Sequence, residues 1–201
     1  FKSKTTVLDR ITVNTASQKD NVVVIQGPTG IGIGEINILS GKAALEGAVV
    51  MDSTSGKIKI AGSGGGSIAQ LTIPAGCTLT GCEVYVKSGR LDTSSSLVTC
   101  AVDGGELVLS GAAGVTAYLE MNGGTTYWDA TSTIALAEIL GGSLKTRTDR
   151  VGRTLTKCNM FGDGDVDFSI GGLSMTITNP IRCFGSNRPK FPIGAAYTVT
   201  I

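Results

Sequence analysis

The sequence predicts an all-β protein whose short strands stack as the rungs of a right-handed parallel β-helix, or solenoid. Three observations support this: helical patterning is nearly absent, glycine is frequent at 29 of 201 residues, and apolar residues occur in short alternating runs. Runs such as Val22–Ile25, Lys57–Ile60, Glu83–Val86 and Ser174–Ile177 are rich in β-branched residues and bounded by turn formers. This pattern is typical of strands.

Glycines precede short strands at a regular interval. They are Gly56, Gly89, Gly105, Gly124, Gly142 and Gly164, and the last five are separated by 16, 19, 18 and 22 residues. A second run ends just before the next glycines, as at Tyr118–Met121, Leu136–Ile139 and Thr156–Asn159. A unit of about 20 residues suits one coil of a β-helix. Glycine at a corner supplies the positive φ that bends one strand into the next.

The one segment that could be helical, Ile134–Leu140, is closed by Gly141 and Gly142, and its length favours a strand. The alternative fold is a β-sandwich, barrel or jelly roll with glycine-rich hairpin turns. We expect the solenoid to occupy residues 51–180. Residues 1–50 are predicted to hold N-terminal strands that act as a cap or docking arm, and residues 181–201 a proline-containing loop and closing strand, because solenoid ends need protection.

Composition excludes several kinds of chemistry. The chain has no histidine, which excludes Ser-His-Asp and Cys-His nucleophilic systems and His-based zinc sites. Seventeen basic and sixteen acidic residues give a net charge of +1, and the densest basic stretch, Lys145–Lys157, is interrupted by Asp149. This stretch is interpreted as a solvated loop, and nucleic acid is not expected as a partner.

The five cysteines are predicted to be small buried residues in a reducing compartment, because their number is odd and none forms a CxxC pair. They are Cys77, Cys82, Cys100, Cys158 and Cys183. Cys82 and Cys100 are one coil length apart, so we expect them to stack on neighbouring rungs; the spacing would permit a disulfide, but stacked thiols are favoured. No membrane-spanning segment and no signal peptide are recognised, and the protein is expected to fold in the cytosol.

Two motifs suggest ligand chemistry on first inspection. The glycine-rich segment 27–34 resembles a phosphate-binding loop, but Asn37 stands where a dinucleotide motif needs its third glycine, and Ala43 follows Gly41–Lys42 where a P-loop needs Ser or Thr. A β-turn and strand are expected there.

Asp163, Asp165 and Asp167 form the second motif and occupy every second position of this segment. An exposed acidic turn is the favoured interpretation, with a metal site and a glycoside-cleaving pair as alternatives.

Aromatic residues provide the candidate contact sites. Tyr127 and Trp128 form one focus, where Trp128 is either a partner anchor or a cover for the seam between strand and turn. Phe184, Phe191 and Pro192 are expected to form an apolar cluster outside the repeats, serving as a contact or a cap. No residue is nominated as catalytic, and no metal or cofactor is expected.

The repeat of glycine corners and Thr/Val-rich strands over residues 56–180 resembles the β-helical virion proteins of tailed bacteriophages. These include capsid decoration, or cement, proteins and the shafts of tail spikes. The resemblance implies a non-enzymatic homotrimer bound to the major capsid protein or another virion protein. It would stand on the virion surface after assembly in the host cytoplasm. A tail spike, fibre or secreted adhesin that binds or cleaves surface polysaccharide is the alternative.

Overall fold

The computed structural model describes residues 7–15, 22–27, 32–62, 69–148, 152–170, 175–192 and 199–200. Within these residues the chain forms eighteen strands and no helix. In chain order they are β1 (Val7–Asn14), β2 (Val22–Gln26), β3 (Gly32–Glu46), β4 (Lys57–Ile60), β5 (Ala69–Ile73), β6 (Glu83–Val86), β7 (Arg90–Thr93), β8 (Leu97–Val102), β9 (Glu106–Leu109), β10 (Val115–Met121), β11 (Thr125–Trp128), β12 (Thr133–Ile139), β13 (Ser143–Lys145), β14 (Arg153–Phe161), β15 (Asp165–Asp167), β16 (Met175–Ile177), β17 (Ile181–Phe184) and β18 (Val199–Thr200).

The strands form two ladders in which the described pairings are parallel. Sheet A contains β1, the first part of β3, β4, β6, β8, β10, β12, β14, β16, β17 and β18. Sheet B contains β2, the second part of β3, β5, β7, β9, β11, β13 and β15. Each coil adds a strand to sheet A and then one to sheet B. The predicted parallel β-solenoid is therefore confirmed, and the hairpin-built sandwich is excluded.

The ladders are continuous at both flanks of the predicted repeat. Strand β3 pairs with β4 in sheet A and with β5 in sheet B, so the first strands belong to the same stack as those beyond residue 50. Near the other end, β17 pairs with β14 in a segment that the sequence analysis assigned to a loop. The segment Ile134–Leu140 is a strand for most of its length, as predicted.

The core consists of columns of inward side chains that stack from coil to coil. In sheet B one column contains Leu71, Leu91, Leu107, Thr126, Leu144 and Val166, all of them fully buried. The hydroxyl of Thr126 is buried there and has no hydrogen-bond partner in the described structure. In sheet A the corresponding column contains Val84, Cys100, Leu119, Ala137 and Cys158.

The cysteines are free thiols, and four of them are buried, with Cys77 only half-buried. Their predicted role as small buried residues is confirmed. The predicted stacking of Cys82 on Cys100 is wrong, because Cys100 pairs with Val84 and Cys82 lies two residues earlier along the coil. The coil from Val84 to Cys100 has 16 residues, two fewer than the 18 between Cys82 and Cys100, because the turn between β7 and β8 is short. Burial is the main cause that raises the pKa of the Cys82 thiol to about 12.

Glycine forms the corner where sheet A turns into sheet B, as predicted for Gly89, Gly105, Gly124 and Gly142. These four residues have φ values of 84°, 70°, 67° and 73°, which only glycine adopts without strain. Gly56 and Gly164 do not share this positive φ. Gly56 instead precedes β4 in sheet A, and in the last full coil the positive φ belongs to Gly162.

The basic stretch Lys145–Lys157 is not a solvated loop at its two ends, and the interpretation is corrected there. It includes the last residue of β13 and the first half of β14. Arg153 is fully buried at the start of β14. Its Nε donates to the carbonyl of Ala130 at 3.1 Å and its Nη1 to the carbonyl of Thr148 at 2.6 Å. The guanidinium therefore ties the backbone of neighbouring coils together.

Candidate contact surface

Trp128 is the last residue of β11, and its side chain points into the solenoid. It is fully buried, its Nε1 donates to Ser132 Oγ at 3.0 Å, and its ring meets the edge of Phe168 at a centroid distance of 6.3 Å. The structure therefore favours the second interpretation of Trp128, as a cover between strand and turn. Trp128 is removed from the candidate contact surface because none of its side chain reaches the exterior.

Tyr127 lies on the outer face of sheet B and is half-buried. The guanidinium of Arg147 lies over its ring, 4.2 Å from the centroid. Arg147 is itself held by Asp129, whose Oδ2 accepts a hydrogen bond from Arg147 Nε at 2.7 Å. One face of the tyrosine ring is thus occupied by a cation from the same chain.

The predicted cluster of Phe184, Phe191 and Pro192 is divided between the two sheets. Phe184 ends β17 in sheet A, whereas Phe191 and Pro192 follow Lys190, which bridges to Asp167 in sheet B. Phe191 is half-buried with its ring 6.1 Å from that of Phe168, and Pro192 is also half-buried. Phe184 is 59% exposed. Of the three residues, Phe184 is therefore the one presented at a surface.

Phe184 belongs to an apolar strip that the sequence analysis did not find. Its ring stacks on Phe161 with centroids 4.8 Å apart and an interplanar angle of 11°. Leu140, 46% exposed, occupies the position next to Phe161 in the preceding coil, since Ile139 pairs with Met160. We call Leu140, Phe161 and Phe184 the corner strip. Its residues are 21 and 23 positions apart, so alignment of coil lengths is the signal that would have revealed it.

The corner strip replaces a polar column. In the three preceding coils, the positions equivalent to Leu140 are occupied by Asn122, Asp103 and Lys87. Asn122 donates to Asp103 Oδ1 at 2.9 Å. The same corner of the solenoid is therefore hydrophilic in the middle coils and apolar in the last coils. Because these apolar side chains are grouped at one repeated position, this corner is a candidate contact surface.

A cavity of 340 Å³ opens in the middle of the sheet A face, where β16 has stopped pairing with β14 and β17 has not yet begun. It is lined by Lys157, Asn179, Pro180 and Arg182. Asn179 donates from Nδ2 to the carbonyl of Thr156 at 2.6 Å, which fixes one wall of the cavity. Among the described residues, neither Lys157 nor Arg182 forms a salt bridge.

The outer face of sheet A between these features is polar. Glu138 accepts a hydrogen bond from the Tyr118 hydroxyl at 2.8 Å and another from Asn159 Nδ2 at 3.1 Å. Burial, followed by the hydrogen bond to Glu138, raises the pKa of Tyr118. Asn159 Oδ1 is buried and has no partner in the described structure. The middle of the face is therefore organised by hydrogen bonds within the chain.

Of the three aspartates, only Asp163 lies in an exposed turn as the favoured interpretation expected, because Asp165 and Asp167 are half-buried on the outer face of β15. Asp163 is exposed in the turn before β15, and Asp165 and Asp167 project from β15. Lys190 Nζ lies 3.3 Å from Asp165 Oδ1 and 4.0 Å from Asp167 Oδ2. Hydrogen bonding from Ser169 is the main cause that lowers the pKa of Asp167. Such a carboxylate is stabilised in its charged form, which is opposite to what a general acid requires.

Ligand sites of other kinds were sought in the described ranges. No group of three or more cysteine, histidine or carboxylate side chains is placed there to hold a metal ion. The residues that follow the glycine-rich segment form strand β3 rather than a helix, as expected, while residues 28–31 lie outside the described residues. No helix with the length and apolar character required to cross a membrane occurs in the part that the structure describes.

Comparison with known proteins finds no match for the chain among protein-family models, curated proteins or solved structures.

Proposed function

We propose that the chain is a non-enzymatic structural virion protein, a trimeric cement protein that decorates and stabilises a bacteriophage capsid. In this role the solenoid is a rigid post that makes contacts at its two ends. The partners are other copies of the chain and the major capsid protein. The post folds in the host cytoplasm and is then added to the capsid surface.

The distribution of exposed apolar side chains carries this proposal. Among the described residues, the exposed large apolar side chains are Val22, Val24, Leu140, Ile170 and Phe184. The first two lie on β2 in the first coil, and the other three lie in the last coils. The middle coils, from β4 to β11, expose none in the described structure. Isolated exposed apolar residues are ordinary, but their restriction to the two ends of a post favours two contact regions.

The N-terminal end provides the surface that we assign to the shell. Val22 and Val24 are 49% and 53% exposed and stand side by side on the outer face of β2. They adjoin Lys42 and Ala44 in the next coil. Apolar area buried at such a contact contributes about 25 cal/mol per Å². A trimer presents three copies of this contact to the shell at once, which multiplies a modest affinity through avidity.

Two further observations support a structural role. Asp165 and Asp167 are paired with Lys190, so the candidate acids are engaged in an ion-pair cluster. The buried free thiols suit folding in a reducing cytoplasm, where disulfides do not persist. The first observation favours a post over a polysaccharide-cleaving spike, and the second favours a virion protein over a secreted adhesin.

Sedimentation with capsids tests the proposal. Wild-type protein is expected to form trimers and to pellet in saturable amounts with intact capsids of the phage that encodes it, but not with free coat subunits. The double variant Val22→Ser/Val24→Ser is expected to bind capsids at least about tenfold more weakly while staying trimeric. Thr72→Ser, at an exposed outward position of sheet B in a middle coil, is the control and keeps wild-type binding. A wild-type protein that ignores capsids would refute the proposal.

A further inference from the structure

The cavity at the start of β17 and the corner strip at its end lie at the same height of the post. Arg182 lines the cavity and Phe184 belongs to the strip, and both are part of the four-residue strand β17. Lys157 in the cavity wall and Phe161 in the strip likewise belong to β14. The two features therefore lie on one face, sheet A, in the same pair of coils, with the cavity in the middle of the face and the strip at its corner.

The two features are complementary in charge and shape. The cavity carries Lys157 and Arg182, which form no salt bridge within the described residues. The corner beside the strip carries the exposed carboxylate of Asp163, two residues after Phe161, which also forms none there. Phe184 projects as an exposed ring at this corner, whereas the middle of the face holds a cavity of 340 Å³. The corner thus provides a ring and an anion, and the middle of the face provides a hollow and two cations.

We propose that the corner strip of one protomer packs into the cavity of the next, and that three such contacts close the trimer. This inference rests on the homotrimer of the proposed function. A threefold rotation about an axis parallel to the solenoid does not move any coil along that axis. Residues of a given coil therefore meet residues of the same coil in the neighbouring protomer. The contact is heterologous, because two different patches of the chain meet, and such contacts close into rings. The part of sheet A that carries both features then lies close to the threefold axis.

In this contact the Asp163 carboxylate lies against Lys157 and Arg182 of the neighbouring protomer, and Phe184 covers the cavity beside Pro180. Arginine and aromatic residues are the types most often found at the centre of protein interfaces. The ion pairs orient the protomers and speed their encounter, and burial of the ring slows dissociation. The association is therefore expected to weaken as salt concentration rises.

Charge reversal tests the contact. The variants Asp163→Lys and Lys157→Glu/Arg182→Glu each place like charges together, and each is expected to raise the trimer dissociation constant by at least about tenfold in sedimentation velocity. The triple variant with all three changes restores opposite charges and is expected to recover wild-type association. Lys87→Glu, at the same corner in a middle coil, is the matched control and leaves the trimer unchanged. All the substituted side chains are exposed, and circular dichroism checks that each variant remains folded.

A second variant, Phe184→Ser, tests the apolar part without any change of charge and is expected to weaken the trimer similarly. If the charge-reversal variants and Phe184→Ser all leave a stable trimer, the inferred contact is wrong. Binding of the wild-type protein to capsids would still support the proposed function in that case. A wild-type protein that binds capsids as a monomer, or that forms open filaments, also overturns this contact alone. Failure of the wild-type protein to bind capsids counts instead against the proposed function.

Discussion

Gly124 lies over the backbone carbonyl of Gly105 in the preceding coil, so closely that a Cβ on Gly124 would be 2.5 Å from that oxygen. The same oxygen accepts a hydrogen bond from the amide of Thr125 at 2.9 Å. The carbonyl cannot move away from an added methyl group without breaking this bond. Glycine at this corner is therefore required both by its positive φ and by the contact between coils.

The variant Gly124→Ala is expected to lower the free energy of unfolding by more than about 3 kcal/mol, because backbone strain and steric overlap add. Gly76→Ala is the matched control. Gly76 also has a positive φ, of 91°, but a Cβ there would meet no atom within 4 Å. Its cost is expected to be about 1 kcal/mol, from the left-handed backbone alone. Urea unfolding at one fixed protein concentration measures both, and equal costs would contradict the steric role of the corner.

The variant Thr126→Val is expected to stabilise the protein by about 1 kcal/mol. Thr126 stands in a column of leucines with its hydroxyl buried and without a partner in the described structure. Valine keeps the shape and removes the desolvation cost of that hydroxyl. Thr126→Ser, which keeps the hydroxyl and loses the methyl, is expected to destabilise by about 1 kcal/mol. If the hydroxyl is the unfavourable group, thermal unfolding shows a higher melting temperature for Thr126→Val and a lower one for Thr126→Ser than for the wild type.

The variant Arg153→Met is expected to cost about 2–4 kcal/mol of stability. The guanidinium donates to the carbonyls of Ala130 and Thr148, and methionine leaves these acceptors without their donors. Lys57→Met provides the control, because Lys57 is exposed in a long ion pair of 3.6 Å and its loss should change stability by less than about 0.5 kcal/mol. Similar losses for both variants would show that Arg153 does not tie the coils together.

Glu35 predicts a pH dependence of stability. Hydrogen bonds from Lys59, and then from Arg10, lower its pKa from 4.5 to about 2. A carboxylate with a lowered pKa in the folded state stabilises the fold above the unfolded-state pKa, and this contribution is lost as the pH falls from about 4.5 to about 2. At pH 7 the variant Glu35→Gln is expected to be less stable by only about 1 kcal/mol, since Arg10 is largely exposed and Lys59 is partly exposed, so that solvent screens both cations. The difference from wild type should vanish near pH 2 in urea titrations.

The strand pattern and the glycine spacing were sufficient to predict the parallel solenoid from the sequence. The alternation in Glu83–Val86 puts Val84 and Val86 inside, and the same alternation recurs in most coils. Gly105 and Gly124 mark equivalent corners because a positive φ with no space for Cβ is a strong requirement on residue type. Local rules of this kind are visible in a single chain.

Properties that depend on neighbouring coils could not be predicted in the same way. The sequence does not show that Trp128 turns inward, because its position depends on space between Ser132 and Phe168. Arg153 is charged, so its burial contradicts the usual preference and depends on carbonyls supplied by other turns. The corner strip was missed because its residues become neighbours only when coils of unequal length are aligned.

The equivalence of Gly105 and Gly124 makes the length of this protein adjustable in whole steps. Excising residues 106–124 would join Gly105 to Thr125, which pairs with Glu106 in the native ladder and occupies the same place in its own coil. The shortened chain keeps its inward columns in phase and loses about 4.8 Å of height. Duplicating the same unit lengthens it by the same amount. The distance between the exposed apolar side chains of the first coil and those of the last coils can thus be set by duplication or deletion of one coil, without any change to either end.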